Sequence, residues 1–226
     1  MPWVPGSLPT CDLRETAGVS FTGFPHAAVD FYLALEEDNS REFWAARRAD
    51  YEQHVRGPMT ALLAELEGSF GAGKVFRPHR DVRFSADKTP YKTHQGGYVA
   101  TAESTGWYAE VSADGFRIGA GCYRMDSRRL RSYRAAVADE RRGRELERIV
   151  DGLQGAGWEI GGDQLRTAPR GVPRDHPRIG PLRHRALTAM RWEPDGDVVT
   201  TPLLLDEVRR RWEELRPLVD WLAATA

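Results

Sequence analysis

The spacing of apolar residues divides the chain into three stretches of different period. From Pro25 onward Ala28, Phe31, Tyr32 and Leu35 make a stripe at helical spacing, which predicts a helix with proline in its first turn. Asn39, followed three positions later by Glu42, reads as a capping box for a second helical stretch carrying Phe43, Tyr51, Val55, Met59, Leu62, Leu66 and Phe70. Gly57-Pro58 should kink or split it, because proline removes a donor from the preceding turn. Gly71-Ala72-Gly73 ends the helical third.

Beyond residue 94 the period falls to two. Trp107, Ala109 and Val111 alternate with Tyr108, Glu110 and Ser112, and Phe116, Ile118, Ala120 and Cys122 alternate with Arg117, Gly119, Gly121 and Tyr123. Asp114-Gly115 joins the two runs, a strong hairpin signal. Gly96–Ala100, Val82–Phe84 and Trp158–Ile160 read as further short strands. A capped helix follows Asp126-Ser127, a break near Gly143 separates it from another carrying Leu146, Ile149, Val150 and Leu153, and Asp206–Trp221 is helical despite Pro217. Residues 174–189 show no clear period. Helices, then strands, then helices predict an α+β fold: a mainly antiparallel sheet with helices packed on it. Residues 1–20, with Pro2, Pro5, Gly6 and Pro9, read as an irregular lead-in, and 21–226 as a single globular domain.

Composition narrows the function classes. With 41% hydrophobic and 29% charged residues the chain resembles ordinary globular proteins, and a formal charge of −1 supplies no global field for nucleic acid or membrane. Any electropositive site is therefore local. Cys11 and Cys122 match no metal or redox spacing, no apolar run approaches a membrane span, and the start lacks the apolar core of a signal peptide, so a cytoplasmic protein is expected. The six histidines show no metal-ligand spacing, and Walker, dinucleotide and nucleophile-elbow motifs are absent, so neither a metal nor a cofactor is expected.

Candidate chemistry lies in one segment. Only three lysines stand against twenty-nine arginines, and all of them, Lys74, Lys88 and Lys92, fall within 74–94. Arg80, Asp81, Arg83, Asp87, Lys88, Tyr91 and Lys92 combine forked guanidiniums, point-charge ammoniums, carboxylates and a phenol. Residues 77–92 hold five cationic side chains against two carboxylates, which suits an anionic ligand. Gly119 and Gly121 share one strand face, and the missing side chains there admit a ligand or another backbone. The expected site is thus a pocket for a small anionic or phosphorylated ligand where 80–94 meets Gly119 and Gly121. The alternatives are a nucleic-acid module contacting phosphates and an internal salt-bridge brace in a structural or interaction protein.

Four strings, Phe31-x-x-Leu-x-x-x-Asn39-x-Arg-Glu-x-Trp44, Tyr51-Glu52, Arg80-Asp81-x-Arg83-Phe84-Ser85-x-Asp87-Lys88-Thr89-Pro90-Tyr91-Lys92, and Gly119-Ala-Gly121 before an arginine-rich helix, resemble the domain of unknown function 2461 family of bacteria and fungi. The resemblance runs from about Gly23 to the C-terminal helix. It implies a cytoplasmic domain and brings no activity, cofactor or catalytic residue with it; ligand, reaction and oligomeric state stay open at this point.

Overall fold

The computed structural model describes residues 20–81, 87–193 and 196–225. Its centre is a six-stranded antiparallel sheet built from β1 (Gly73–Val75), β2 (His94–Ala102), β3 (Thr105–Ser112), β4 (Gly115–Cys122), β5 (Glu159–Gly161) and β6 (Leu187–Trp192), in the order β1-β2-β3-β4-β6-β5. The hairpin expected around Asp114-Gly115 is β3–β4, with Ser112 opposite Gly115 and Gly115 at φ +110°. The helices are α1 (His26–Glu37), α2 (Arg41–Asp50), α3 (Gly57–Phe70), α4 (Ser127–Ala138), α5 (Glu140–Gly155), α6 (Ile179–Leu182), α7 (Gly196–Val199) and α8 (Leu203–Ala223). The fold is α+β, helical in its N-terminal part and at its C-terminus.

One face of the sheet carries the core. Val99, Trp107, Ala109, Val111, Phe116, Ile118 and Ala120 are buried there, and α3 and α8 lie across them. Trp212 of α8 stacks on Trp107 at 5.9 Å and donates from its indole to the Tyr108 carbonyl at 3.3 Å, while Phe70 meets both indoles edge-on. Every apolar position expected to face inward on α1 is buried, as are Val208, Trp212, Leu215, Leu218 and Leu222 of α8. The alternate positions of the same strands, Tyr98, Tyr108, Glu110, Arg117, Met190 and Trp192, are only partly buried, as alternation requires of a sheet with one packed face.

Several local expectations are corrected. The α2 cap is Ser40, whose hydroxyl accepts from Phe43 N–H; Asn39 is engaged elsewhere. Pro58 causes no break, because it occupies the first turn of α3, and a π-helical turn at Tyr51–Arg56 joins α2 to α3 without an interruption. The break between α4 and α5 falls at Asp139, whose carboxylate caps α5. Gly143 lies inside α5, where a Cβ would stand 2.7 Å from Arg178 Nε. The unassigned region 174–189 contains α6 and the start of β6. The strand expected at Val82–Phe84 lies outside the described residues, as does most of the lead-in.

Candidate functional site

Residues 76–81 leave β1 and residues 87–93 return to β2, the two stretches running side by side as the arms of an irregular hairpin. The Lys92 N–H donates to Pro78 O and the Arg80 N–H to Pro90 O, each at 2.8 Å, and His79 bridges Tyr91. Between the arms Arg80 pairs with Asp87, whose Oδ1 also accepts from the Thr89 N–H at 2.9 Å and the Thr89 hydroxyl at 2.8 Å. Those two bonds from Thr89, with Arg80 adding to them, hold the Asp87 carboxyl below the usual range. Arg80 Nη2 reaches the Tyr91 carbonyl at 3.4 Å. Lys88 and Asp81 are exposed on the same hairpin. Arg83 lies outside the described residues.

Tyr91 belongs to the fold's interior. Its ring is 6% exposed and stacks on Trp44 at 4.2 Å with planes 10° apart. Asn39 donates from Nδ2 to Tyr91 O and accepts from Tyr91 N–H on Oδ1. Four residues on, Gln95 is 1% exposed; it accepts from the Tyr51 hydroxyl at 2.5 Å and donates to the carbonyls of Phe76 and Gly96 at 2.8 Å. Tyr91 is therefore packed into the core and ties the hairpin to α2. Asn39, Trp44, Tyr51 and Tyr91, drawn from separate parts of the sequence, form one anchor.

The alternate residues turn to the other side of the sheet. Lys92 lies with its ammonium 5.4 Å from the centre of the Phe76 ring, and burial, helped by Arg77 and Arg80, lowers its pKa. Burial likewise lowers the pKa of His94, with Glu110 opposing and Lys92 and Arg80 adding to the depression. Tyr108 donates to Glu110 Oε2 at 2.5 Å, and burial raises its hydroxyl pKa. Phe76 lies nearly parallel to Tyr98, planes 15° apart, and 6.4 Å from Tyr108. Arg77 and Lys92 have no carboxylate partner among the described residues.

Gly119 and Gly121 do not join this site. β3 separates them from β2, and β6 occupies the space they leave: a Cβ at Gly119 would stand 2.6 Å from Ala189 O, and one at Gly121 2.7 Å from Thr188 Cα. They admit another backbone, which is the second of the two uses foreseen for them. Of the expected ligand residues, the structure brings Arg80, Asp87 and Lys92 together and turns Tyr91 away. Sequence reasoning passed over Arg77, Phe76, His94, Tyr98, Tyr108 and Glu110. The available signal was that the outward positions of β2 and β3 carry tyrosine, glutamate and histidine where a solvated face needs only small polar residues.

The family model described as "Conserved hypothetical protein (DUF2461)" matches residues 27–221, nearly the whole chain. The chain belongs to this family. The DUF2461 match takes in α1, the hairpin, every strand and most of α8. No curated protein and no solved structure matches the chain. No described helix is long and apolar enough to cross a membrane, and the described residues contain no cluster of three or more His, Cys, Asp or Glu able to hold a metal. DUF2461 membership thus fixes ancestry and leaves the chemistry to the site itself.

Proposed function

We propose that this protein binds a small anionic ligand, phosphate-bearing or carboxylate-bearing, through Arg77, Arg80 and Lys92. The observation that carries the reading is the Lys92 ammonium. It is partly buried against Phe76, it lies within the field of two guanidiniums, and the described residues offer it no carboxylate. An ammonium so placed is destabilised until an anion approaches, and a ligand oxygen recovers that cost. Asp87 is set back on the hairpin, where it holds the Arg80 fork and leaves Lys92 uncompensated. Lys88, exposed at the same hairpin, extends the positive field toward solvent.

Calorimetric titration with inorganic phosphate, pyrophosphate and citrate tests it. Lys92→Gln and Arg77→Gln should each weaken binding by about tenfold, the effect of losing one charge-assisted contact. Equal affinities for wild type and both variants, with the fold intact by circular dichroism, would sink the reading. The Arg80–Asp87–Thr89 network favours a second role for the same segment, that of an internal brace. Under that role alone Arg80→Met would lower the unfolding midpoint while phosphate bound no better to wild type than to the variant.

A further inference from the structure

The open face of the sheet beside the cation cluster is paved with flat side chains, and glycines make the paving flat. At Gly96 a Cβ would stand 2.7 Å from Tyr108 Oη and 3.1 Å from Phe76 Cδ2. At Gly106 it would stand 3.0 Å from both the ring edge and the hydroxyl of Tyr98. The register explains the pairing: Tyr98 is opposite Tyr108, and the two glycines occupy the diagonal positions, one on each strand. Each tyrosine therefore lies down over bare backbone instead of standing up beside a neighbour. A ring laid on backbone turns its other side away from the sheet. Phe76, leaving β1, extends the floor nearly parallel to Tyr98, and Tyr123 stands edge-on at the far end, 60% exposed.

We infer that the ligand carries a planar ring as well as its anionic group, the chemistry of a nucleotide, with the ring stacked on Phe76, Tyr98 and Tyr108 and the phosphate held by Arg77 and Lys92. This rests on the anion reading for its phosphate half and on the aromatic floor for its ring half. The two halves adjoin at Phe76, whose ring neighbours both the Lys92 ammonium and the tyrosines. Sheets with an open face use aromatics in this way to stack bases, and every base offers a π-face to such a floor. Cation and ring also suit each other in charge. Arg77 and Lys92 lie at the hairpin edge of the floor, so a ligand lying along it meets them with one end only.

Fluorescence or calorimetric titration of the full chain with adenosine 5′-monophosphate, ribose 5-phosphate, adenosine and a short single-stranded RNA tests both halves. The monophosphate should bind about tenfold or more tightly than ribose 5-phosphate, the effect of one stacked base. Phe76→Leu, which keeps an apolar side chain and removes the ring, should weaken the monophosphate more than ribose 5-phosphate, so that the ratio of the two affinities falls toward one. Ribose 5-phosphate equal to the monophosphate on wild type overturns the ring and leaves the anion reading standing. Adenosine equal to the monophosphate overturns the anion half and keeps the ring. RNA bound steeply salt-dependently, with affinity far above the monophosphate, identifies a strand as the source of the nucleotide; equal affinities identify a free one.

Discussion

Asn39 completes the backbone of Tyr91 on both sides, donating to its carbonyl at 3.0 Å and accepting from its N–H at 3.1 Å across 52 residues of sequence. An asparagine side chain has one donor group and one acceptor arranged like a peptide, so it can stand in for the strand that Tyr91 lacks on that side. The pair holds the base of the hairpin that presents Lys92. Replacing Asn39 with Ala leaves the Tyr91 N–H unanswered and its carbonyl with only the long 3.4 Å contact from Arg80, in a partly buried setting. We expect a loss of about 2 kcal/mol in urea unfolding, from two hydrogen bonds of about 1 kcal/mol each. Asp87→Asn, at an exposed pair, should shift the midpoint far less.

Tyr51→Phe isolates a second anchor. The buried Gln95 carbonyl oxygen would lose the one donor it has among the described residues, while the Gln95 amide would keep Phe76 O and Gly96 O. The expected cost is about 1–3 kcal/mol, the penalty of one unsatisfied buried acceptor. Because Gln95 holds the carbonyl of Phe76, the same change should weaken phosphate binding. A double-mutant cycle with Lys92→Gln checks whether the two effects couple.

Gly119→Ala separates packing from binding. Its methyl would press on Met190, a flexible side chain, and on the Ala189 carbonyl, which cannot move without breaking the β4–β6 ladder. Overpacking of this kind costs about 1–3 kcal/mol. Thermal denaturation should register it, and the folded fraction should bind phosphate as wild type does, since the glycine lies two strands from the cation cluster.

Stability should depend on pH near neutrality through two imidazoles, His184 buried and His94 partly buried. Burial lowers the pKa of both His94 and His184; in His184 the Ala186 carbonyl opposes and Arg183 adds. On unfolding each regains its ordinary value of about 6.5. Between the folded and unfolded values the unfolded chain holds more protons, so stability rises with pH: it is fully present above about 6.5 and is lost as pH falls through the folded values. Glu193, whose carboxyl is raised by burial, acts in the opposite sense. The measurement is therefore the difference between wild type and His184→Asn in urea midpoints at about pH 7.5 and about pH 5.5, where the variant should show the smaller decline.

The parts of the fold that were legible in sequence are those where local periodicity and tertiary packing agree. Ala28, Phe31, Tyr32 and Leu35 are inward on α1, and Asp114-Gly115 closes the central hairpin. Asn39 misled because the local chemistry of an N-cap also fits it; the carbonyl it serves is far away in sequence, and Ser40, one residue on, does the capping. β6 escaped because Leu187–Trp192 follows a proline- and arginine-rich stretch, and its pairing with β4 spans a long crossover. At the site, charge density in 77–92 drew attention to the hairpin itself. The floor beside it depends on which strand positions lie diagonal to Gly96 and Gly106, and register is a property of the folded sheet.

The two outermost strands, β1 and β5, have three residues each. A sheet that exposes an aromatic face invites association with other chains, and long unpaired edges would let such contacts grow strand by strand into fibres. Here the rims are too brief to template another strand. The protein can therefore turn a partly exposed aromatic face to solvent while the outermost strands offer neighbouring copies only three residues each on which to polymerise.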